Sequence, residues 1–407
     1  MDWKTMILLL FTLVSAYQMA LSFIKYRSAN NPTPENVRDV YDAETYKRWK
    51  QYSAEKCRLE MAETIVSWVV LVVLLLTNAH AAVANLFGGV YAQLIAVLVF
   101  QTLAETAFGA VTGYINTMII EQKYGFNRST MKTFVLDQLR GLLISLILSI
   151  LMMVILAALH QALGDWMVLL FAGVIFLLAL FISFIYPIIS RMANKFVPLE
   201  EGELKDKLTS LLTAHGYAVK AIEVMDASRR TTKSNAYFTG FGKMKTIVLY
   251  DNLIESMTTD EICAVFAHEM GHGLNKDTLK QQCMNLGNFL VLAVLAWLTV
   301  RTPVMHTSFG FETVNYGFAY ILLSAALLPL VQPLTGMLIS AYSRYAEYRA
   351  DRQAVCEGYG AALISGLKKL VRDNFFHLAP SNLLVVLEYS HPPMSSRIAA
   401  IEEAMKK

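Results

Sequence analysis

Charge is what this chain has least of. Only 16% of its 407 residues are Asp, Glu, Lys or Arg, and 55% are hydrophobic. Soluble domains carry about 25% charged residues. That deficit, with long apolar runs, excludes an ordinary soluble domain and points to a polytopic membrane protein. Cysteine is scarce too. Cys57, Cys263, Cys283 and Cys356 are scattered and none forms C-x-x-C. A disulfide framework and a thiolate metal site are thereby excluded. The net charge is only +3 and no block of Lys and Arg stands out, so no nucleic-acid partner is expected. There is no internal repeat and no low-complexity tract. No A-x-A-like cleavage site follows the first apolar stretch, which ends in Phe23-Ile24-Lys25-Tyr26-Arg27. It therefore reads as a retained membrane helix and not as a signal peptide.

What the chain does have is apolar length. Seven spans are expected, at 5–24, 62–79, 90–118, 139–159, 166–189, 284–300 and 316–342. Each is near or above the ~20 residues that cross a bilayer. The connections alternate in charge. Residues 25–60, 119–138 and 190–283 carry Lys and Arg; 80–89 and 160–165 have none, and 301–315 has only Arg301. Basic loops stay on the cytoplasmic side. The expected topology puts the N-terminus outside, with residues 190–283 and the C-terminus in the cytoplasm. Two regions follow: a membrane domain of five spans over 1–190, and 191–407, which holds the soluble parts and the last two spans. Within the soluble part, 204–215 reads as an amphipathic helix stopped by Gly216, and 218–225 as an alternating segment. Residues 235–241 and 246–250 read as two strands of a hairpin.

Histidine is also rare, eight in all, and two of them stand in His268-Glu269-Met270-Gly271-His272. This is H-E-x-x-H, the zinc metalloprotease pattern. On a helix, i and i+4 share a face, so both imidazoles reach one metal. Glu269 then lies beside the open coordination position, where it can take a proton from water. Thr258 and Glu261 form a Thr-x-x-Glu capping box that starts this helix, and Ile262, Val265 and Phe266 give it an apolar face. Two histidines leave a catalytic zinc one protein ligand short. Glu347 and Asp351 share a face on the helix that continues the last span. Glu347 is the expected third ligand. Asp351 is expected to accept the free N–H of a coordinating histidine. One Zn2+ per chain is expected. The histidines at 80, 160, 215, 306 and 377 read as structural or solvated. Glu105, in the third span one turn after Gln101, is expected to face a wet interior or a partner such as Arg140.

These motifs together resemble the Ste24-type CAAX prenyl proteases, a membrane branch of the gluzincin M48 metallopeptidases. Besides the metal motifs, the resemblance is carried by Ser234-Asn235-Ala236-Tyr237-Phe238 with Ile247-Val248-Leu249-Tyr250-Asp251, by Ser390-His391-Pro392-Pro393 with Arg397, and by the loop Ile120-Glu121-Gln122-Lys123-Tyr124-Gly125-Phe126-Asn127. It implies an α-helical polytopic protein of about seven spans, forming a barrel around a water-filled chamber. A gluzincin-type α+β domain lies on the cytoplasmic side. It also implies a peptide or protein substrate, possibly prenylated, cleaved near its C-terminus, and contact with membrane lipid. Asn235 carries over as a substrate-backbone contact. His391 and Arg397 carry over as groups that stabilise the oxyanion or bind the substrate's carboxylate. Two positions depart from the family: Gly273 replaces a frequent aromatic, and Asp277 a frequent histidine. Neither is expected to be a metal ligand. A quality-control protease of the HtpX type is an alternative, and a channel or inactive scaffold is the non-enzyme one; the intact Glu269 argues against a scaffold. The bacterial inner membrane and the endoplasmic reticulum both remain open.

Overall fold

The computed structural model describes residues 2–233, 235–239 and 244–407. Six helices among the described residues are long and apolar enough to cross a bilayer: Trp3–Ser28, Ala43–Leu76, Val90–Tyr124, Met131–Trp166, Asp277–Arg301 and Tyr316–Cys356. Each covers one of the expected spans, except that Ala43–Leu76 stops three residues short of the end of 62–79. The other expected span, 166–189, falls on the helix Met167–Ala193, whose side chains lie partly outside the described residues.

The helices outrun their apolar runs. Ala43–Leu76 begins well before residue 62, capped by Asp42, whose carboxylate accepts the Thr45 N–H at 2.7 Å. Its 34 residues make a rod of about 51 Å at about 1.5 Å per residue, against about 30 Å of hydrocarbon. The polar half, with Lys47, Arg48, Glu55, Lys56 and Arg58, therefore projects into water. The last span also runs on. Its helical stretch Leu328–Cys356 tolerates Pro333 and carries Glu347 and Asp351 at its far end, as the sequence suggests. Glu105 accepts from Gln101 Nε2 at 2.8 Å, and Gln101 bonds His80 at 2.8 Å. Arg140 pairs with Asp137 instead.

Beside the spans stands a four-stranded sheet. Its strands are β1 (Phe196–Pro198), β2 (Ala218–Met225), β3 (Ala236–Thr239) and β4 (Met244–Tyr250), in the order β1-β2-β4-β3. β2 and β4 run parallel; the other pairs are antiparallel. The expected hairpin forms, but Met244 and Lys245 belong to β4 and not to the turn. Residues 240–243 lie outside the described residues. Among the described residues β3 is an edge, paired only with β4. Tyr250 N–H bonds Asn235 O at 3.2 Å. By the alternation of an antiparallel ladder, Ala236 and Phe238 then turn their N–H and C=O groups away from β4; the Ala236 N–H donates to Asn235 Oδ1 at 2.9 Å.

The helix Glu203–Ala214 ends where Gly216 takes a φ of +71°, as its sequence predicts. Its Leu208, Leu211 and Leu212 pack with Ile222, Ile247 and Leu249 of the sheet, and with Ile262, Phe266 and Met270 of the helix Thr259–Leu274. That signature helix buries its other face, Ala264 and Ala267, against Ala354, Leu363, Leu367 and Ile401. The small residues let backbones close up. At Gly271 a Cβ would lie 2.9 Å from Ala350 Cα, a separation no side chain fits. The sheet thus fixes one face of the signature helix, and the end of the last span fixes the other.

Candidate active site

The signature helix starts as expected. Thr258 Oγ1 accepts the Glu261 N–H, and Glu261 reaches back to the Thr258 N–H at 2.8 Å. Glu261 is further tied to Ser365 and Lys369, each at 2.6 Å. In its last two turns the helix presents His268 and His272. His268 Nε2 lies 3.5 Å from Glu347 Oε2, and His272 Nε2 lies 3.3 Å from Glu347 Oε1. The three potential donor atoms all lie within 4.8 Å of one another.

Each imidazole has a carboxylate behind it. His268 Nδ1 donates to Asp351 Oδ1 at 2.9 Å, and His272 Nδ1 donates to Asp277 Oδ2 at 3.0 Å. A carboxylate beside Nδ1 puts the proton there and leaves the Nε2 lone pair directed at Glu347. Each carboxylate in turn has an arginine. Arg397 donates Nε to Asp351 Oδ2 at 2.9 Å and Nη2 to Oδ1 at 2.6 Å; its Nη1 lies 3.1 Å from Glu347 Oε2. Arg349 pairs with Asp277, which also accepts from Tyr342 Oη at 2.8 Å.

The donor set suits a metal ion. Glu347 Oε2 is buried and makes no hydrogen bond; Arg397 Nη1 stands 3.1 Å away and His268 Nε2 3.5 Å away. Oε1 faces His272 Nε2 at 3.3 Å, so the carboxylate is directed at both imidazole nitrogens, which can share one metal with it. Two imidazoles and a carboxylate beside an open cleft are a donor set that can hold a catalytic metal ion. His272 itself is pushed up to about 9 when no metal is bound. Burial acts to lower it; the bond and charge of Glu347, then Asp277 and Glu269, outweigh burial.

Glu269 lines a cleft of about 120 Å³ with Asn235, Ala236, His268, Glu347, His391 and Arg397. The cleft adjoins a larger, mostly apolar cavity of about 720 Å³, which shares Asn235, Leu367, Leu370, His391 and Arg397 with it. His391 Nε2 lies 3.3 Å from Glu347 Oε1, and its ring is 64% exposed to this open volume. The surrounding walls hold His391 below its ordinary pKa, and the positive groups Arg397, His268 and His272 act the same way against Glu347.

Every candidate residue named from sequence is thus gathered here: His268, Glu269, His272, Glu347 and Asp351 around one point, Asn235, His391 and Arg397 in the cleft walls. Arg397 sits differently from expectation. It is only 6% exposed, and its guanidinium is committed to Asp351 and Glu347. The sequence reading did not assign Asp277, Arg349 and Tyr342 to the site. The five-residue spacing from His272 to Asp277 gave no signal, since on a continuous helix it would point the carboxylate away. The five other histidines each bond elsewhere: His80 to Gln101, His160 to Tyr316, His215 to Glu357, His306 to Thr299 O and His377 to Ser28.

Comparison with known proteins agrees with this geometry. Residues 198–405 match Peptidase family M48, and residues 22–195 match the CAAX prenyl protease N-terminal family of five membrane helices. The chain belongs to peptidase family M48. Relatives of this M48 peptidase include a CAAX prenyl protease 1 homolog of Oryza sativa subsp. japonica, 31% identical, with 97% of this chain and 96% of the relative covered. CAAX prenyl protease 1 of Saccharomyces cerevisiae is 27% identical, with 96% and 93% covered. In fold, the M48 peptidase is similar to the crystal structure of S. mikatae Ste24p. The TM-score is 0.92 over 99% of each chain, at 24% identity. The protein is an integral, multi-pass membrane metallopeptidase.

Proposed function

We propose that this peptidase is a zinc endopeptidase that cleaves near the C-terminus of CAAX-type proteins, prenylated ones included, in the chamber of a helical barrel facing the cytoplasm. The observation that carries the reading is the convergence of His268, His272 and Glu347 beside Glu269, in a cleft walled by the free edge of a strand. His268, His272 and Glu347 would hold one zinc ion, whose charge activates water and polarises the scissile carbonyl.

The chain's own groups do the rest. Glu269 takes the proton from the attacking water and delivers it to the leaving amine. Asp351 and Asp277 keep both imidazoles with Nε2 toward the ion, and Arg397 holds Asp351 and Glu347 in place. Arg397 is therefore a positioning residue in this reading, and His391 is left as the oxyanion donor. Its lowered pKa keeps it neutral at neutral pH. Ser390 Oγ, 2.9 Å from Nδ1, favours the tautomer with the proton on Nε2, beside the cleft. An extended peptide adds to the open edge of β3 through the outward C=O of Ala236 and the N–H and C=O of Phe238, with Asn235, whose Oδ1 accepts the Ala236 N–H, at its start. The apolar cavity beyond accepts the aliphatic or lipidated residues flanking the cut.

The basic loops support a cytoplasmic active site, in a bacterial inner membrane or the endoplasmic reticulum. The test incubates purified, zinc-loaded protein with matched farnesylated and unmodified CAAX peptides and identifies the products by mass. Release of a C-terminal tripeptide is expected. Intact peptides in both reactions, alongside cleavage of unfolded membrane proteins, would transfer the function to quality control.

A further inference from the structure

The turn between the third and fourth spans engages the chain that leads into β3. The third span ends in a π-helical turn, Ile115–Glu121, a rare geometry that recurs at functional sites. Gly125, at a φ of +83°, then reverses the chain. The Glu121 carbonyl ties the reversal by accepting the Phe126 and Asn127 N–H groups at 2.8 and 3.3 Å. The reversed segment pairs with residues 230–232. Asn127 and Thr231 form an antiparallel bridge. Arg128 N–H bonds Arg230 O at 3.0 Å, and Thr232 N–H bonds Phe126 O at 3.2 Å.

A side-chain cluster reinforces the contact. Glu121, with 13% of its side chain exposed, accepts from Tyr52 Oη at 2.6 Å and pairs with Lys233 at 3.2 Å. Lys56 stands 3.4 Å away. The Lys233 ammonium lies 4.9 Å above the Phe126 ring and 5.6 Å from that of Tyr52. From the opposite side Asn252 Nδ2 donates to Thr231 O at 3.3 Å and to Lys233 O at 2.8 Å. Lys233 is two residues before Asn235.

We propose that Glu121 and the 126–128 backbone are a positioning device for the substrate strand, set by the membrane domain. β3 has four residues and one neighbouring strand, too little to hold its own register firmly. Its N-terminal root is therefore clamped, by Lys233 and the 230–232 backbone, to the second and third spans. The clamp fixes the open edge of β3 relative to Glu269. Released, the edge still pairs with β4 but presents the peptide poorly. This rests on the reading that β3 receives the peptide.

The experiment compares Glu121→Gln, Lys233→Met, their double variant and Asn235→Ala in the full-length membrane protein, by steady-state cleavage of a farnesylated CAAX peptide with zinc content measured in parallel. Each single clamp variant should raise KM about tenfold with kcat within about twofold and zinc unchanged, the pattern of lost binding. The double variant should be no worse than either single one, since one interaction is removed twice. Should Glu121→Gln fail to fold, Thr232→Pro, which removes the N–H donated to Phe126, carries the same test. An unchanged KM in the clamp variants beside a raised KM in Asn235→Ala overturns the clamp alone. Unchanged KM in all of them overturns the strand reading itself. Loss of zinc or of kcat at constant KM, or additive effects in the double variant, would reduce the cluster to ordinary structural packing.

Discussion

Glu269 and Glu347 are two glutamates in one cleft, and their removal should fail in different ways. Glu269→Ala should keep its zinc and lose about 10²–10⁴-fold in kcat, as when a proton-transfer group is lost. Glu347→Ala should lose zinc itself. Metal analysis of both purified variants separates them; full occupancy in Glu347→Ala would strike it from the ligand set. Asp277→Asn should weaken metal affinity by about 10–100-fold, the usual effect of removing a carboxylate behind a coordinating histidine. pH adds a further check at His272. With its pKa raised from 6.5 to about 9 without metal, the imidazole is charged at neutral pH. The stability of its pairs with Glu347 and Asp277 is then complete below about 6.5 and lost as pH rises through about 9. Metal needs the neutral ring, so zinc affinity should climb over the same interval while the apo protein weakens. Competition titrations from pH 6.5 to 9 read the first and apo melting the second. A flat zinc affinity would remove the proton from the site. At this scale the grouping of the candidate ligands was legible because their spacing is that of a helix. Asp277 was not. Along a straight helix, five residues turn about 140° away from His272 at about 3.6 residues per turn. The chain instead breaks at Lys276, whose φ is 54°, and that kink returns Asp277 to the imidazole. No pattern in the sequence marks a lysine in the left-handed region.

Two elements set the cleft: the signature helix and the edge strand. Gly271 sits where the helix touches Ala350, and Gly271→Ala would put a Cβ 2.9 Å from that backbone. Overpacking of this kind costs about 1–3 kcal/mol, and here it would also push Glu347 away from both histidines. A drop in zinc affinity with an intact far-UV spectrum is the expected result; unaltered affinity would mean that the helices can shift together. For the strand, Phe238→Pro removes an N–H that faces the open side and not β4. It should weaken peptide cleavage through KM while zinc stays bound. Wild-type kinetics in a folded, zinc-replete Phe238→Pro protein would send the peptide elsewhere. The strand's existence was legible from its β-branched and aromatic residues. Its position at an edge was expected only with the substrate-contact role of Asn235, because order within a sheet depends on the parallel pairing of β2 with β4, which a local pattern does not encode.

Across the whole molecule, the alternation of basic loops makes a topological prediction. In a Cys-free variant, single cysteines at Asn30, Thr130 and Glu201 should label from the cytoplasmic side, and those at Gly88 and Thr307 from the opposite side. Labelling of position 201 together with 307 would invert the compartment of the cleft. The spans were legible as apolar runs, but their true lengths were not, since polar extensions such as the first half of Ala43–Leu76 look like loop. The path of the last span has a consequence for biogenesis. His268 and His272 come from a helix seated on the sheet, whereas Glu347 arrives on the continuation of Tyr316–Cys356. On the proposed ligand set, the polypeptide cannot complete its metal site until the final membrane segment has been threaded. A half-inserted chain should then be inert, and the last step of insertion would also be the step that arms the protease.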